Sequence, residues 1–186
     1  MNNRLLPSAI IVAFIILASA AWWLVPKNPA PTEFSGELAY QHVTAQMEFG
    51  PRPTGSKANR NTGDYILAGL ASAGWQTETQ EFTYRDTPVR NIIGKAAFGN
   101  GPVIIVGAHY DTRKFADQDT VLPRAPVPGA NDGASGAAVL LELARALDVD
   151  NLKNEVWLAF FDAEDNGGID GWDWIVGSNR MADSLT

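Results

Sequence analysis

The sequence predicts an α/β fold: a mixed, mainly parallel sheet flanked by helices. Three observations carry that expectation. Val103–Val106 (VIIV) and Val156–Phe161 (VWLAFF) are short, uninterrupted apolar runs, as strands buried on both faces are. Between them, the stretch from Ala134 to Leu147 places Val139, Leu140, Leu143 and Leu147 on one stripe of a helix. Strand, loop, helix and strand at this spacing make a β-α-β unit.

Taken in order, residues 1–4 form a short N-terminal tail with Arg4. No charged residue follows until Lys27. The uncharged stretch 5–26 is long enough, at about 1.5 Å per residue, to cross a hydrocarbon core of ~30 Å. Trp22 and Trp23 sit where an interfacial aromatic belt would lie. The expectation is a transmembrane signal anchor. The alternative is a cleaved signal peptide, with Ala18-Ser19-Ala20 as the small-residue cleavage site. Both place the rest of the chain on the extracytoplasmic side, held at the membrane in the first case and secreted in the second. Residues 27–36, which include NPAPT, read as a Pro-stiffened linker. The domain proper is expected at 37–186.

Within that domain, residues 37–49 have helical apolar spacing, with Leu38, Val43 and Met47 pointing inward. GPRPTG at 50–55 cannot continue that helix, because two prolines remove backbone donors. A second helix is expected from a cap at Asn61 or Thr62, through Tyr65, Ile66, Leu67 and Leu70, to a left-handed stop at Gly74. WQTETQEF at 75–82 alternates like a half-exposed strand, and 89–97 forms another.

The composition narrows the chemistry. A net charge of −7 argues against a phosphate-backbone ligand, so no nucleic-acid partner is expected. The chain has no cysteine, so disulfides, thiolate-held zinc and a thiol nucleophile are excluded. Any metal must be held by carboxylates and by His42 or His109, the only two histidines.

Polar residues gather where the strands end, which is where open α/β sheets bind ligands. GAHYD at 107–111 follows VIIV, DAEDNGG at 162–168 follows VWLAFF, and GANDGASG at 129–136 opens the intervening helix. Each has a bland alternative. His109 alone is more often structural, Asn131-Asp132-Gly133 alone reads as a turn and cap, and Glu164-Asp165 alone reads as a solvated loop. Together they suit a cation. Asp111 can accept from the His109 ring nitrogen that the metal leaves free, and adjacent carboxylates beside a buried strand need positive charge.

GAHYDT, PGANDGASGAAVLLELAR and FFDAED, with GPRPTGS at 50–56 and VGSNRMA at 176–182, resemble metallopeptidase family 28, the zinc aminopeptidases, and the related glutaminyl cyclases. The resemblance spans 37–186. It implies that His109 ligates a first zinc with Asp111 orienting it, and that Asp132 bridges to a second ion. Glu164 would be the general base on metal-bound water, and Asp165 would hold the second metal where Glu is usual. The implied cofactor is one or two Zn2+. The implied reaction is hydrolytic release of N-terminal residues from peptides. The substrate is then a peptide or small molecule with a free N-terminus. A glutaminyl-peptide cyclotransferase, with Trp172 and Trp174 walling a small pocket, is the alternative. A non-catalytic ectodomain is the second. The family also supplies a later metal-binding Asp and a distant His. This chain has no histidine after His109, so it reads as the N-terminal portion of the fold, with the C-terminal part missing.

Overall fold

A computed structural model describes residues 33–185. The 5–26 segment expected to anchor the chain lies outside them. Among the described residues no helix is long and apolar enough to cross a membrane.

Four helices and four strands appear in the order α1 (Gly36–Glu48), α2 (Lys57–Ser72), β1 (Gln76–Tyr84), β2 (Thr87–Ala96), β3 (Val103–His109), α3 (Gly136–Ala146), β4 (Glu155–Phe161) and α4 (Val176–Ser184). The sheet order is β1-β2-β4-β3. The sheet is mixed, as expected: β1 with β2 and β2 with β4 are antiparallel, and β3 with β4 is parallel. The β1–β2 hairpin turns on Arg85 and Asp86, both at positive φ, the geometry that matches strand twist in a two-residue loop. The expected β-α-β unit is β3-α3-β4.

Helices cover both faces. On one, Ile66 and Leu70 of α2 and Leu140, Leu141 and Ala144 of α3 pack on Ile92, Leu158 and Phe160. On the other, Met181 of α4 meets Ile93 and Ala159. The period-2 alternation of strand side chains assigns each residue to its layer. Burying a side chain such as Leu158 or Phe160 contributes roughly 1.5–3 kcal/mol.

Three expectations need correction. First, α2 begins at Lys57, not at Asn61 or Thr62. The Ser56 hydroxyl accepts from the Asn59 amide and caps the helix five or six residues earlier than expected. Second, Leu38, Val43 and Met47 are only half-buried. The residues of α1 that bury fully are Ala39 and Gln46, and the Gln46 amide reaches the carbonyls of His42 and Ala134. Third, the VIIV run is not buried on both faces. Val103, Ile104, Ile105 and Val106 are 46%, 44%, 40% and 37% exposed, and Val139 of α3 also faces outward. β3 lies at the sheet edge, where it pairs with β4 only.

An edge with aliphatic side chains on both faces and a free row of backbone donors and acceptors is a template for self-pairing. Ile105→Lys places a charge in that row. We expect it to suppress concentration-dependent light scattering of the chain while leaving the thermal midpoint within a few degrees. Unchanged scattering would locate the sticky surface elsewhere.

Candidate metal centre

The site forms where β3, β4 and the turn before α3 end together. His109 is the last residue of β3, and Tyr110 donates its amide to the Phe161 carbonyl at the end of β4. That bond brings the loops after both strands side by side. The turn at Ala130–Ser135 is not a regular helix. Asp132 is extended there (φ −89°, ψ 107°), and Gly133 sits at φ 92°. A side chain at Gly133 would be strained by that φ, and its Cβ would also lie 2.5 Å from the Asp111 carbonyl. The glycine after Asp132 therefore lets the chain leave the helix path there, with Asp132 facing His109.

His109 Nε2 lies 3.1 Å from Asp132 Oδ1, and its Nδ1 lies 3.4 Å from Asp111 Oδ1. Asp111 is fully buried and accepts from four donors: His109, Thr54 Oγ1 at 3.4 Å, and the amides of Glu164 at 3.2 Å and Asp165 at 3.3 Å. It thus links the imidazole to the loop after β4. Burial works to lower the His109 pKa. The Asp111 hydrogen bond and the charges of Asp111, Asp132 and Asp165 outweigh it and raise the pKa to about 9. Three carboxylates surround one imidazole, so the pocket favours positive charge.

Asp165 is placed less completely. Its Oδ1 lies 3.8 Å from Arg113 Nη1, and its Oδ2 is buried with no hydrogen-bond partner. Desolvation, then the charges of Asp132 and Asp111, raise its pKa to about 6 against the pull of Arg113 and His109. Among the described residues no three His, Cys, Asp or Glu side chains close into one metal-holding group. The expected convergence of His109, Asp132 and Asp165 is therefore realised for the first two only. The Asp165 backbone is tied on both sides, its carbonyl accepting from Arg113 and its amide donating to Asp111.

Glu164 is anchored to the start of α4. Its carboxylate accepts from the Ser178 amide and from Ser178 Oγ, both at 2.7 Å, at the start of α4. Burial raises its pKa, those two bonds lower it, and it lies within the fields of Asp111 and His109. Its backbone helps to pinch a loop: Ile175 donates to the Glu164 carbonyl and Val176 to the Ala163 carbonyl, both at 3.0 Å. Gly177 lets α4 approach closely, since a Cβ there would collide with the Asp162 carbonyl.

Beneath the site, Asp162 accepts from Asn59 at 2.9 Å and from the Arg90 and Ala163 amides at 3.1 and 2.8 Å. Burial and the nearby Asp111 charge push its pKa up to about 7.

Arg52 is the largest fully buried side chain. Its guanidinium donates to the carbonyls of Tyr110 (3.2 Å), Gly50 (3.2 Å), Pro128 (3.1 Å) and Gly129 (2.7 Å). Burial lowers its pKa and the Asp111 charge opposes that. The sequence motif flagged this segment but assigned Arg52 no role. Its only local signal is an arginine between two prolines.

A metal fits this donor set on two grounds. Two ligands of a tetrahedral zinc, each ~2.0–2.2 Å from it, lie roughly 3.2–3.6 Å apart, close to the His109–Asp132 separation. Asp165 Oδ2 is a buried anionic oxygen without a donor, which a cation would satisfy.

Residues 91–185 match Peptidase family M28. The chain is 32% identical over 141 residues to the uncharacterized protein YfbL of Escherichia coli K12, covering 75% of this chain and 42% of that protein. It superposes on the Porphyromonas gingivalis glutaminyl cyclase with a TM-score of 0.74 at 36% identity, covering 80% of this chain and 55% of that one. A Zn-dependent exopeptidase from Parabacteroides distasonis gives a TM-score of 0.72 at 33% identity, covering 82% and 57%. The chain thus spans about half the length of these relatives. The His109–Asp132 pair, the β-α-β frame that carries it and the matched segment 91–185 agree, and the chain belongs to peptidase family M28.

Proposed function

We propose that this chain carries the metal half of a zinc-dependent aminopeptidase that hydrolyses N-terminal residues from peptides. The 5–26 segment would hold the domain on the extracytoplasmic side of a membrane. The observation that supports this best is the imidazole–carboxylate pair at 3.1 Å beside a buried, unpartnered aspartate oxygen. His109, Asp132 and Asp165 would hold zinc, which when bound supplies Lewis acidity and acidifies water. Asp111 fixes the His109 ring. Glu164, held against Ser178, is the carboxylate available to accept a proton and return it to the leaving amine. The surrounding acidic groups favour a substrate's α-ammonium.

One observation favours glutaminyl cyclisation as a second reading. Trp174, 52% exposed, lies against Gly167 in the loop that carries Asp165. An exposed indole there suits a small side chain folding back on its own amine. Several solved neighbours are glutaminyl cyclases.

The full 186-residue chain, in detergent micelles, should take up zinc in calorimetry. Absence of zinc uptake would sink both readings. Turnover of leucine-anilide against glutamine-anilide then separates them. Glu164→Gln should keep zinc while turnover falls about 10²–10⁴-fold, the usual worth of a general base. Turnover within threefold of the parent would remove Glu164 from that role.

A further inference from the structure

We propose that Arg113 is a positioning residue that sets the angle of the Asp165 carboxylate. The inference rests on Asp165 being a metal donor, as in the proposed function. Arg113 lies four residues beyond His109, in the loop after β3, yet its guanidinium serves the loop after β4. Nη1 donates to the Asp165 carbonyl at 2.7 Å and Nη2 to the Gly167 carbonyl at 3.2 Å. Nε and Nη2 also bind the two Asp117 oxygens at 2.5 and 2.6 Å, a forked pair that fixes the guanidinium plane. The other face of the plane lies under the Trp174 ring, 4.7 Å from its centroid.

That ring in turn rests on Gly167, where a Cβ would collide with it. Asp117, Arg113, Trp174 and Gly167 therefore form one stack. The stack holds the backbone at Asp165 and at Gly167, on either side of Asn166. Asn166 adds a third tie, its Oδ1 accepting from the Lys114 amide at 2.9 Å. These bonds fix the backbone from which the carboxylate projects. Its Oδ1 is turned to Arg113 at 3.8 Å, and its Oδ2 is left buried and unpartnered. One oxygen is occupied by a fixed protein cation and the other is presented for a mobile one.

A lysine cannot replace this arrangement, because a point ammonium lacks the planar fork that reaches a carboxylate and two carbonyls together. The test compares the full chain with Arg113→Lys, and with Asp117→Asn, which loosens the fork without touching Asp165. Far-UV circular dichroism and the thermal midpoint check the fold.

We expect Arg113→Lys to weaken Zn2+ binding at least tenfold in competition with a chromophoric chelator and to change the visible bands of the Co2+-loaded protein. Asp117→Asn should shift both in the same direction by a smaller factor. In metal-free protein, the Glu164 and Asp165 amides, which donate to Asp111, should exchange hydrogen at least tenfold faster in Arg113→Lys. Zinc affinity within twofold of the parent and unchanged Co2+ bands would overturn the positioning role. If the parent itself binds no Zn2+, the metal reading fails separately. The hydrogen-exchange comparison then decides the clamp, and equal exchange rates overturn it.

Discussion

Replacing Arg52 by methionine is expected to destabilise the fold by about 3–5 kcal/mol, the cost of removing one member of a buried charge system. Typical domains have only ~5–15 kcal/mol in total, so the variant should be largely unfolded at modest urea. Methionine keeps much of the volume, which isolates the polar loss. Four carbonyls, those of Tyr110, Gly50, Pro128 and Gly129, lose their donor at once, and Asp111 loses its nearby cation. These carbonyls belong to the segment ahead of α2, the loop after β3 and the turn ahead of Asp132. Arg52→Lys should recover only part of the stability, since one ammonium cannot reach all four. A urea midpoint for Arg52→Met close to the parent's would show that the guanidinium is replaceable.

Asp132→Ala should have the opposite profile. Its side chain is 61% exposed, so stability should change by no more than about 0.5 kcal/mol, as for ordinary surface substitutions. Zinc affinity should fall by roughly 100-fold or more, since even residues that only support a ligand are worth 10–100-fold. Calorimetry and a thermal melt on one sample separate loss of binding from loss of fold. Zinc affinity within threefold of the parent would place the metal elsewhere. The two substitutions thus separate the frame of the site from its donors.

Much of this was legible in the sequence. The β3-α3-β4 unit could be read because the apolar period switches from continuous to helical and back. His109 and Asp132 could be placed because each stands at the boundary of such an element, where the chain has little freedom. Asp165 could not be placed as well. Its position depends on the Arg113 stack, and no periodicity in 162–175 encodes that contact. Arg52 was illegible for a different reason. Charged residues rarely bury fully, and what makes it possible is three carbonyls supplied by distant segments together with that of Gly50. The start of α2 was missed because residues 57–60 (KANR) carry no large apolar side chain, and the one buried fully is Asn59, which leaves the Ser56 cap without a hydrophobic stripe to mark it. The VIIV run shows the limit most clearly: apolar residues on both faces of a strand say that it can be covered, not what covers it.

The pinched stem at Ala163–Glu164 and Ile175–Val176 gives the intervening residues a particular independence. Two backbone bonds close them into a ring whose base belongs to the sheet and α4, so the ring can change length or content without shifting the register of β4. Trp172 and Trp174 lie inside it, whereas Ser178 and Asp162 lie outside. Exchange around Trp172 can therefore vary what faces the site while Asp162, Glu164 and Ser178 stay in place, whereas Asp165 and the Trp174–Gly167 contact lie inside the ring and constrain it. A family that shares one frame could acquire different chemistries in this way.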